Sequence, residues 1–348
     1  MNKKINILLT CVGGKYTYDL INAFNSIKNI KINVYGTDSD PKSNIFFIKR
    51  LYKVPRANKE KIYLKKIFLI CKKEKINIIF PGSEVESIFF SKYKNMFIQK
   101  KIKVFISDYK IVTSLVDKGK MFDFLEKNNI NVGKWKCINS IKDLNNSINK
   151  FGYPLKKIVL KPRKGTGSRG VVILDKKVKK FKLLLKNRFC GTGNINSVKK
   201  EFKKRKFFFT NLICMPFYGG KTYDVDCLAI NGKAKIIIPR LRQYENPLSE
   251  YNQGCIVEKN LKIVNYIKKI VKAFKIHGPC DFDVTIDSSG NPKLLDSSNR
   301  MSGSIGGSII AGYNLPEQII RYMNGLKIKK ITPNKNSRIV PVNKFVLI

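Results

Sequence analysis

The segment Lys161-Pro162-Arg163-Lys164-Gly165-Thr166-Gly167-Ser168-Arg169-Gly170 constrains this chain more than any other. It lies between two apolar runs that read as strands, Ile158 to Pro162 and Val171 to Leu174. From Arg163 onward it gathers three glycines, two hydroxyls and three cations. Glycines let backbone N–H groups turn inward as an anion nest, hydroxyls add donors, and cations neutralise phosphate charge. A triphosphate needs that combination. The segment is not a Walker loop, because no GK[ST] opens a helix and a strand continues on both sides. The alternative, a bare hairpin turn, would hardly require so many glycines and cations.

Ahead of this loop, short apolar runs alternate with helical patterns. Ile5 to Thr10 reads as a buried strand, Cys11 to Gly14 as a turn, and Tyr16 to Ile27 as a helix with apolar positions at Leu20, Ile21, Phe24 and Ile27. Strands follow at Ile32 to Gly36, Ile76 to Phe80 and Val104 to Ile106, with a helix around Lys61 to Lys73. Such a βαβ series predicts a parallel, doubly wound sheet over residues 1–110. Gly13-Gly14 does not complete GxGxxG, so a tight turn without a cofactor is the plainer reading of it. A further helix is expected over Asp117 to Lys127.

Composition narrows the function. The net charge of +45 invites a nucleic-acid partner, yet of 69 basic residues 58 are lysine and only 11 arginine, beside abundant Asn and Ile. Residues spelled by A/T-rich codons would give that balance without any nucleic acid, and the lysines are spread along the chain without interleaved aromatics. A nucleic-acid partner is therefore disfavoured. Eight cysteines without a CxxC pair suit buried thiols in a reducing cytoplasm. One histidine, His277, leaves lysine, arginine, carboxylates and metal to carry any catalysis. Apolar stretches run for fewer than ten residues, against roughly 20 for a membrane span, so no membrane partner is expected.

Beyond the loop, Ile213 to Ile230 reads as strand, turn, strand, and Ile236 to Pro239 returns with Arg240 and Arg242. Between Gly278 and Ser302 four aspartates stand against one lysine and one arginine, a reversal of the chain's charge. Two antiparallel strands joined at Ser288 to Pro292 would set Asp283 beside Asp296. Mg²⁺ wants such oxygen ligands together with substrate phosphates. A hairpin with exposed aspartates is the alternative.

The ordered set, Asp117-Lys118, Lys161 with its glycine loop, Gly219 to Asp226, Pro239 to Arg242, Asp283, and Asp296 to Arg300, resembles the ATP-grasp superfamily. Within it the chain is similar to the short, single-unit relatives of the carbamoyl-phosphate synthase large chain, over roughly residues 1–325. That resemblance implies an α/β chain: a Rossmann-like pre-ATP-grasp domain at 1–110, then a two-lobed α+β ATP-grasp fold. The small lobe would span 111–205, the large lobe 206–325, and a C-terminal tail 326–348.

It also implies ATP and Mg²⁺ as cofactors. Lys118, Lys161, Lys164, Gly165, Thr166, Gly167, Ser168, Arg169 and Gly170 would hold the nucleotide, with the Ile213 to Met215 backbone at the adenine. Asp283, Asp296 and Ser298 would hold the metal, and Arg240 and Arg300 the substrate carboxylate or acyl phosphate. Two departures stand out. Met215 or Pro216 occupies the place of the usual hinge glutamate, and Asp296-Ser297-Ser298-Asn299-Arg300 replaces Glu-Ile-Asn-Pro-Arg. The implied activity is carboxylate–amine ligation of small molecules through an acyl phosphate, in the cytoplasm, with room for a homodimer. A degenerate ATP-binding protein and a basic nucleic-acid-binding protein are the other two readings.

Overall fold

The computed structural model describes residues 4–14, 17–28, 30–41, 48–165, 167–185, 189–243, 254–329 and 337–342. Three sheets follow one another along the chain. The first contains β1 (Lys4–Thr10), β2 (Lys31–Asp38), β3 (Arg50–Lys53), β4 (Ile78–Phe80) and β5 (Lys103–Val104), in the order β3-β2-β1-β4-β5. All its pairings are parallel. Ile7, Leu8 and Leu9 are buried whichever face they point to, as a sheet covered by helices on both sides requires. The chain leaves β1 towards β2 on one side and reaches β4 on the other, so the carboxyl ends of β1 and β4 form a crevice of the kind where doubly wound sheets bind ligands. Cys11 to Gly14 and Pro81 to Glu84 sit there, and Gly82 is obligatory, since a Cβ would stand 1.9 Å from the Thr10 carbonyl oxygen.

The second sheet contains β6 (Lys136–Ile138), β7 (Ile158–Pro162), β8 (Val172–Leu174), β9 (Lys182–Leu183), β10 (Gly191–Gly193) and β11 (Leu212–Pro216), in the order β6-β11-β7-β8-β10-β9. Helices Ile141–Lys150 and Ile195–Lys204 bury Leu144, Ile148, Val198 and Phe202 against Leu160, Val172 and Leu174. Because β11 pairs antiparallel with both β6 and β7, this lobe runs through Pro216. The expected boundary between 205 and 206 falls inside it and is corrected.

The third sheet contains β12 (Thr222–Ile230), β13 (Lys233–Arg242), β14 (Cys255–Val257), β15 (Gly278–Ile286), β16 (Pro292–Ser298) and β17 (Ser337–Ile339), antiparallel in the order β16-β15-β12-β13-β14-β17. Residues 337–339 therefore belong to this sheet, where the sequence suggested only a tail. Alternation along β12 separates its two faces. Tyr223, Val225, Cys227 and Ala229 pack with Ile263, Ile267 and Ile270 of the helix Leu261–Phe274. The opposite face changes character along its length, from Asp224 and Asp226 to Leu228 and Ile230. Its apolar end packs on Ile7, Phe24 and Phe105 of the first domain, leaving the acidic end for a cavity. Among the described residues no helix is long and apolar enough to cross a membrane, and all eight cysteines are free thiols.

Asn299 joins the first domain to the third sheet. It is 1% exposed; its Oδ1 accepts from the Ser107 N–H at 2.9 Å and its Nδ2 donates to the Pro279 carbonyl at 2.8 Å. A buried group stripped of its partner costs about 1–3 kcal/mol. Asn299→Ala is therefore expected to lower stability by about 3 kcal/mol, measured as a fall in the thermal or urea midpoint. A midpoint equal to wild type would show that the junction is held by other contacts.

Candidate functional site

The acidic end of the third sheet is a pair of cross-strand rows. Arg240, Asp224, Asp283 and Asp296 are neighbours across β13, β12, β15 and β16, and Ile238, Asp226, Asp281 and Ser298 form the next row. Asp283 and Asp296 thus stand side by side in register, as the hairpin reading required. Like charges this close need counter-charges. Arg242 Nε donates to Asp224 at 2.9 Å and its Nη2 lies 2.8 Å from Asp283; Lys118 Nζ lies 3.0 Å from Asp296; Arg300 Nη1 lies 3.2 Å from Asp281. Burial first, then the neighbouring carboxylates, push the Asp281 and Asp283 carboxyls above their ordinary range, and Arg300 and Arg242 pull them back.

These rows form one wall of a cavity of about 1710 Å³ between the second and third sheets. The glycine loop forms the facing wall, with Gly165, Gly167, Ser168 and Arg169 lining it. Gly165, Gly167, Ser168 and Gly170 all have positive φ, 153°, 62°, 60° and 78°, so the loop turns by the left-handed steps that glycine permits most readily. Gly170 packs so tightly on Pro162 that a Cβ would lie 2.7 Å from its ring. Thr166 lies outside the described residues.

Two lysines cross from the second lobe side to the third sheet. Asp117 caps the helix Lys118–Lys127 by accepting from the Lys120 N–H at 3.1 Å, and holds Arg163 of the loop at 2.5 Å. That geometry sends buried Lys118 to both Asp296 and the Gly165 carbonyl, 3.0 Å away. Lys161, at the end of β7, donates to the Leu295 carbonyl at 2.6 Å and lies 5.5 Å from the Phe122 ring centroid. Burial, reinforced by the charge of Lys118, lowers its amine from the usual 10.5 to about 7.

The structure therefore gathers Lys118, Lys161, Gly165, Gly167, Ser168, Arg169, Met215, Asp283, Asp296, Ser298 and Arg300 around one cavity. It does not bring Lys164, Gly170 or Ile213 to the lining. Lys164 is an exposed cation 3.9 Å from Asp117, and Ile213 is a core residue of β11 opposite Lys161. Arg240 is corrected as a substrate-contacting residue. Its guanidinium is fully buried away from the cavity, 3.0 Å from Asp226 and hydrogen-bonded to Ser302 and Ser304. Arg242, two residues on at the end of β13, lines the cavity instead. His277 packs, as its isolation in the sequence suggested, edge-on against Phe105 with Nδ1 2.6 Å from Asn231 Oδ1.

Sequence reasoning missed Glu84, the first residue of the helix Glu84–Lys92, which reaches the cavity from the first domain beside Gly13 and Gly14. An acidic residue after the N-cap Ser83 was the available signal, and it is shared by countless helices.

Magnesium suits the donors present. Asp283 and Asp296 offer adjacent carboxylate oxygens, and the Ser298 hydroxyl is buried on the same face with no hydrogen-bond partner among the described residues. No group of three or more His, Cys, Asp or Glu among the described residues is arranged to hold a metal alone. An ion there would need further oxygens from elsewhere, which is how magnesium is held with substrate phosphates.

Comparison with known proteins agrees with this geometry. Residues 7–105 match the family described as PylC-like, N-terminal domain, and residues 208–345 match ATP-grasp in the biosynthetic pathway with Ter operon. No curated protein matches the chain in sequence. Among solved structures, the L-amino acid ligase from Bacillus licheniformis superposes with a TM-score of 0.67 at 16% identity, covering 92% of this chain and 74% of that one. Biotin carboxylase from Campylobacter jejuni, in a β-γ-ATP complex, gives 0.68 at 14% identity over 94% and 73%. N5-carboxyaminoimidazole synthetase from Staphylococcus aureus, complexed with ADP, gives 0.67 at 14% over 96% and 81%. At such identities the likeness is one of fold. With a parallel-sheet domain in front, a glycine loop on one lobe and a carboxylate hairpin on the other, the chain has the ATP-grasp fold, with an ATP-grasp domain matched at 208–345 behind a PylC-like N-terminal domain matched at 7–105.

Proposed function

We propose that the protein is an ATP-dependent carboxylate–amine ligase acting on small molecules through an acyl phosphate. One observation carries this reading: a single cavity is lined by the glycine loop, by two buried lysines and by the in-register pair Asp283 and Asp296. Structural relatives that include an amino acid ligase and proteins held with ADP or an ATP derivative support it.

In this reading the loop from Gly165 to Arg169 receives the phosphates, and Met215 with Pro216 and Phe217 forms the wall for the base. Arg300 orients the substrate carboxylate, since a guanidinium matches its two oxygens. A carboxylate oxygen forms a bond to the γ-phosphorus while the bond to the β–γ bridging oxygen breaks, releasing ADP. Lys118 and Lys161 stabilise the charge that develops on the transferring group, and they stand preorganised by Asp296 and the Leu295 carbonyl. The amine nitrogen then attacks the acyl carbon, the C–O bond to phosphate breaks, and the departing phosphate takes the nitrogen's proton. Magnesium held by Asp283, Asp296 and Ser298 would offset phosphate charge during transfer. None of these steps needs imidazole, in keeping with a single, packed histidine.

Lys161 gives a direct test of nucleotide placement. With an amine at about 7, the free protein holds only part of this proton at neutral pH. Phosphate oxygens nearby favour the charged amine, so nucleotide binding should draw a proton from the buffer and weaken as pH rises through 7. Calorimetry just above neutral pH is expected to give a binding enthalpy that depends on the buffer's ionisation enthalpy. Lys161→Met should remove that dependence and weaken ATP binding about tenfold or more, the weight of a charge-assisted hydrogen bond. A buffer-independent enthalpy in wild type would place the phosphates elsewhere.

Asp296 tests the metal. Asp296→Asn keeps the shape and removes one charge, so ATP-dependent turnover should fall far more than nucleotide affinity and require more Mg²⁺. Full turnover at low Mg²⁺ in a variant that melts like wild type would rule out Asp296 as a ligand.

A further inference from the structure

Six acidic side chains line the cavity, and five of them have a cation partner. Asp175 is 2.8 Å from Lys157, Asp224 and Asp283 share Arg242, Asp281 faces Arg300, and Asp296 faces Lys118. Glu84 makes no ion pair or hydrogen bond among the described residues. Its carboxylate is not idle at the helix end for want of a cap, because the Ser83 hydroxyl already accepts from the Glu86 N–H at 3.3 Å. Nor is it a solvated surface charge. Burial and the charges of Asp296 and Asp283 raise its affinity for a proton, while Arg300 and Lys118 oppose them, so it shares one electrostatic environment with the reacting end of the cavity. A carboxylate partly buried among carboxylates keeps its charge best opposite a positive group and otherwise takes up a proton.

Arg300 is the complementary case. Nη1 alone makes its contacts, to Asp281 at 3.2 Å and to the Met301 carbonyl at 2.8 Å. Nε and Nη2 make none among the described residues. The same cavity is lined by Ser298, a residue 3% exposed whose hydroxyl has no partner among the described residues. The cavity thus offers an open guanidinium edge, an unused buried donor and, from a different domain, an unpaired carboxylate.

We propose that the substrate whose carboxylate is activated is an amino acid, bound as a zwitterion with its carboxylate on Arg300 and its ammonium on Glu84. The inference rests on the ligase reading of the same site and goes beyond it by naming the class of acid. Bicarbonate, dicarboxylates and simple fatty acids bring no positive charge, and none of them offers Glu84 an ion-pair partner. Placement of the two groups on separate domains also makes the substrate a bridge between the first domain and the third sheet.

The test uses the full-length protein with ATP, Mg²⁺ and hydroxylamine, a small amine that captures an acyl phosphate as a hydroxamate. Amino acids are compared with the acids lacking only the ammonium: alanine against propionate, valine against isovalerate, lysine against hexanoate, glutamate against glutarate, with bicarbonate alongside. ADP release and hydroxamate are expected with one or more amino acids and not with their deaminated partners. Glu84→Gln should raise KM for the amino acid about ten- to hundredfold, the weight of one charge-assisted hydrogen bond, and leave KM for ATP unchanged. Near-ultraviolet circular dichroism and the melting midpoint verify that the variant is folded. Use of a deaminated acid or bicarbonate as well as any amino acid, or an unchanged KM in folded Glu84→Gln, overturns the amino acid assignment and leaves the ligase standing. No ADP release with any acid, although calorimetry detects ATP binding, overturns the ligase reading and this inference together.

Discussion

Charge compensation across the acidic end of the third sheet governs the rest of the site. Asp224, Asp226, Asp281, Asp283 and Asp296 share one face of three adjacent strands, too close to coexist without cations. Arg240 and Arg242 come from within that sheet, and Arg300 from the segment that leaves it. Lys118 comes from the helix that precedes the second sheet, and in reaching Asp296 it also takes the Gly165 carbonyl of the glycine loop. With Lys161 on the Leu295 carbonyl, two ammonium groups tie the lobes together where a nucleotide's phosphates would lie. The cations that line the cavity are also the groups that hold the lobes in place.

The same face explains how a chain of net charge +45 builds a locally acidic surface. Along β12 and β13 the inward positions change from Asp224, Asp226, Arg240 and Arg242 to Leu228, Ile230, Ile236 and Ile238. The apolar half packs on the first domain and joins the two into one core. The polar half cannot enter that core without stranding its charges, so it stays at the cavity. One continuous strand face both docks the first domain and sets its crevice against the site, which is how Gly13, Gly14 and Glu84 come to line it.

Much of this was legible in the sequence. The βαβ alternation pointed to the parallel sheet, the glycine loop to one wall of the cavity, and the turn at Ser288 to Pro292 to the register of Asp283 and Asp296. The rest depended on packing. Arg240 and Arg242 point to the same side of β13, so alternation cannot tell them apart; depth does, because the segment carrying Ser302 and Ser304 covers the first and not the second. Strand β11 reads as the start of a strand-turn-strand unit, yet its partners are β6 and β7, a choice fixed by the sheet edge and not by local propensity. Glu84 carries no motif, and its meaning lies in the missing counter-ion, which only three-dimensional neighbours reveal.

The departures from the Glu-Ile-Asn-Pro-Arg pattern also become intelligible together. Asp296 and Ser298 are successive positions on one face of β16, and each is shorter than the residue it replaces. Asp296 is already paired with Lys118 and Asp283 with Arg242, so a cation held by these carboxylates would have to displace an ammonium and a guanidinium. Displaced in a buried cavity, those groups would need new anions, which nucleotide phosphates would supply. Asn299, standing where the pattern has proline, is committed to Ser107 and Pro279, and it fixes the strand end that carries Asp296, Ser298 and Arg300.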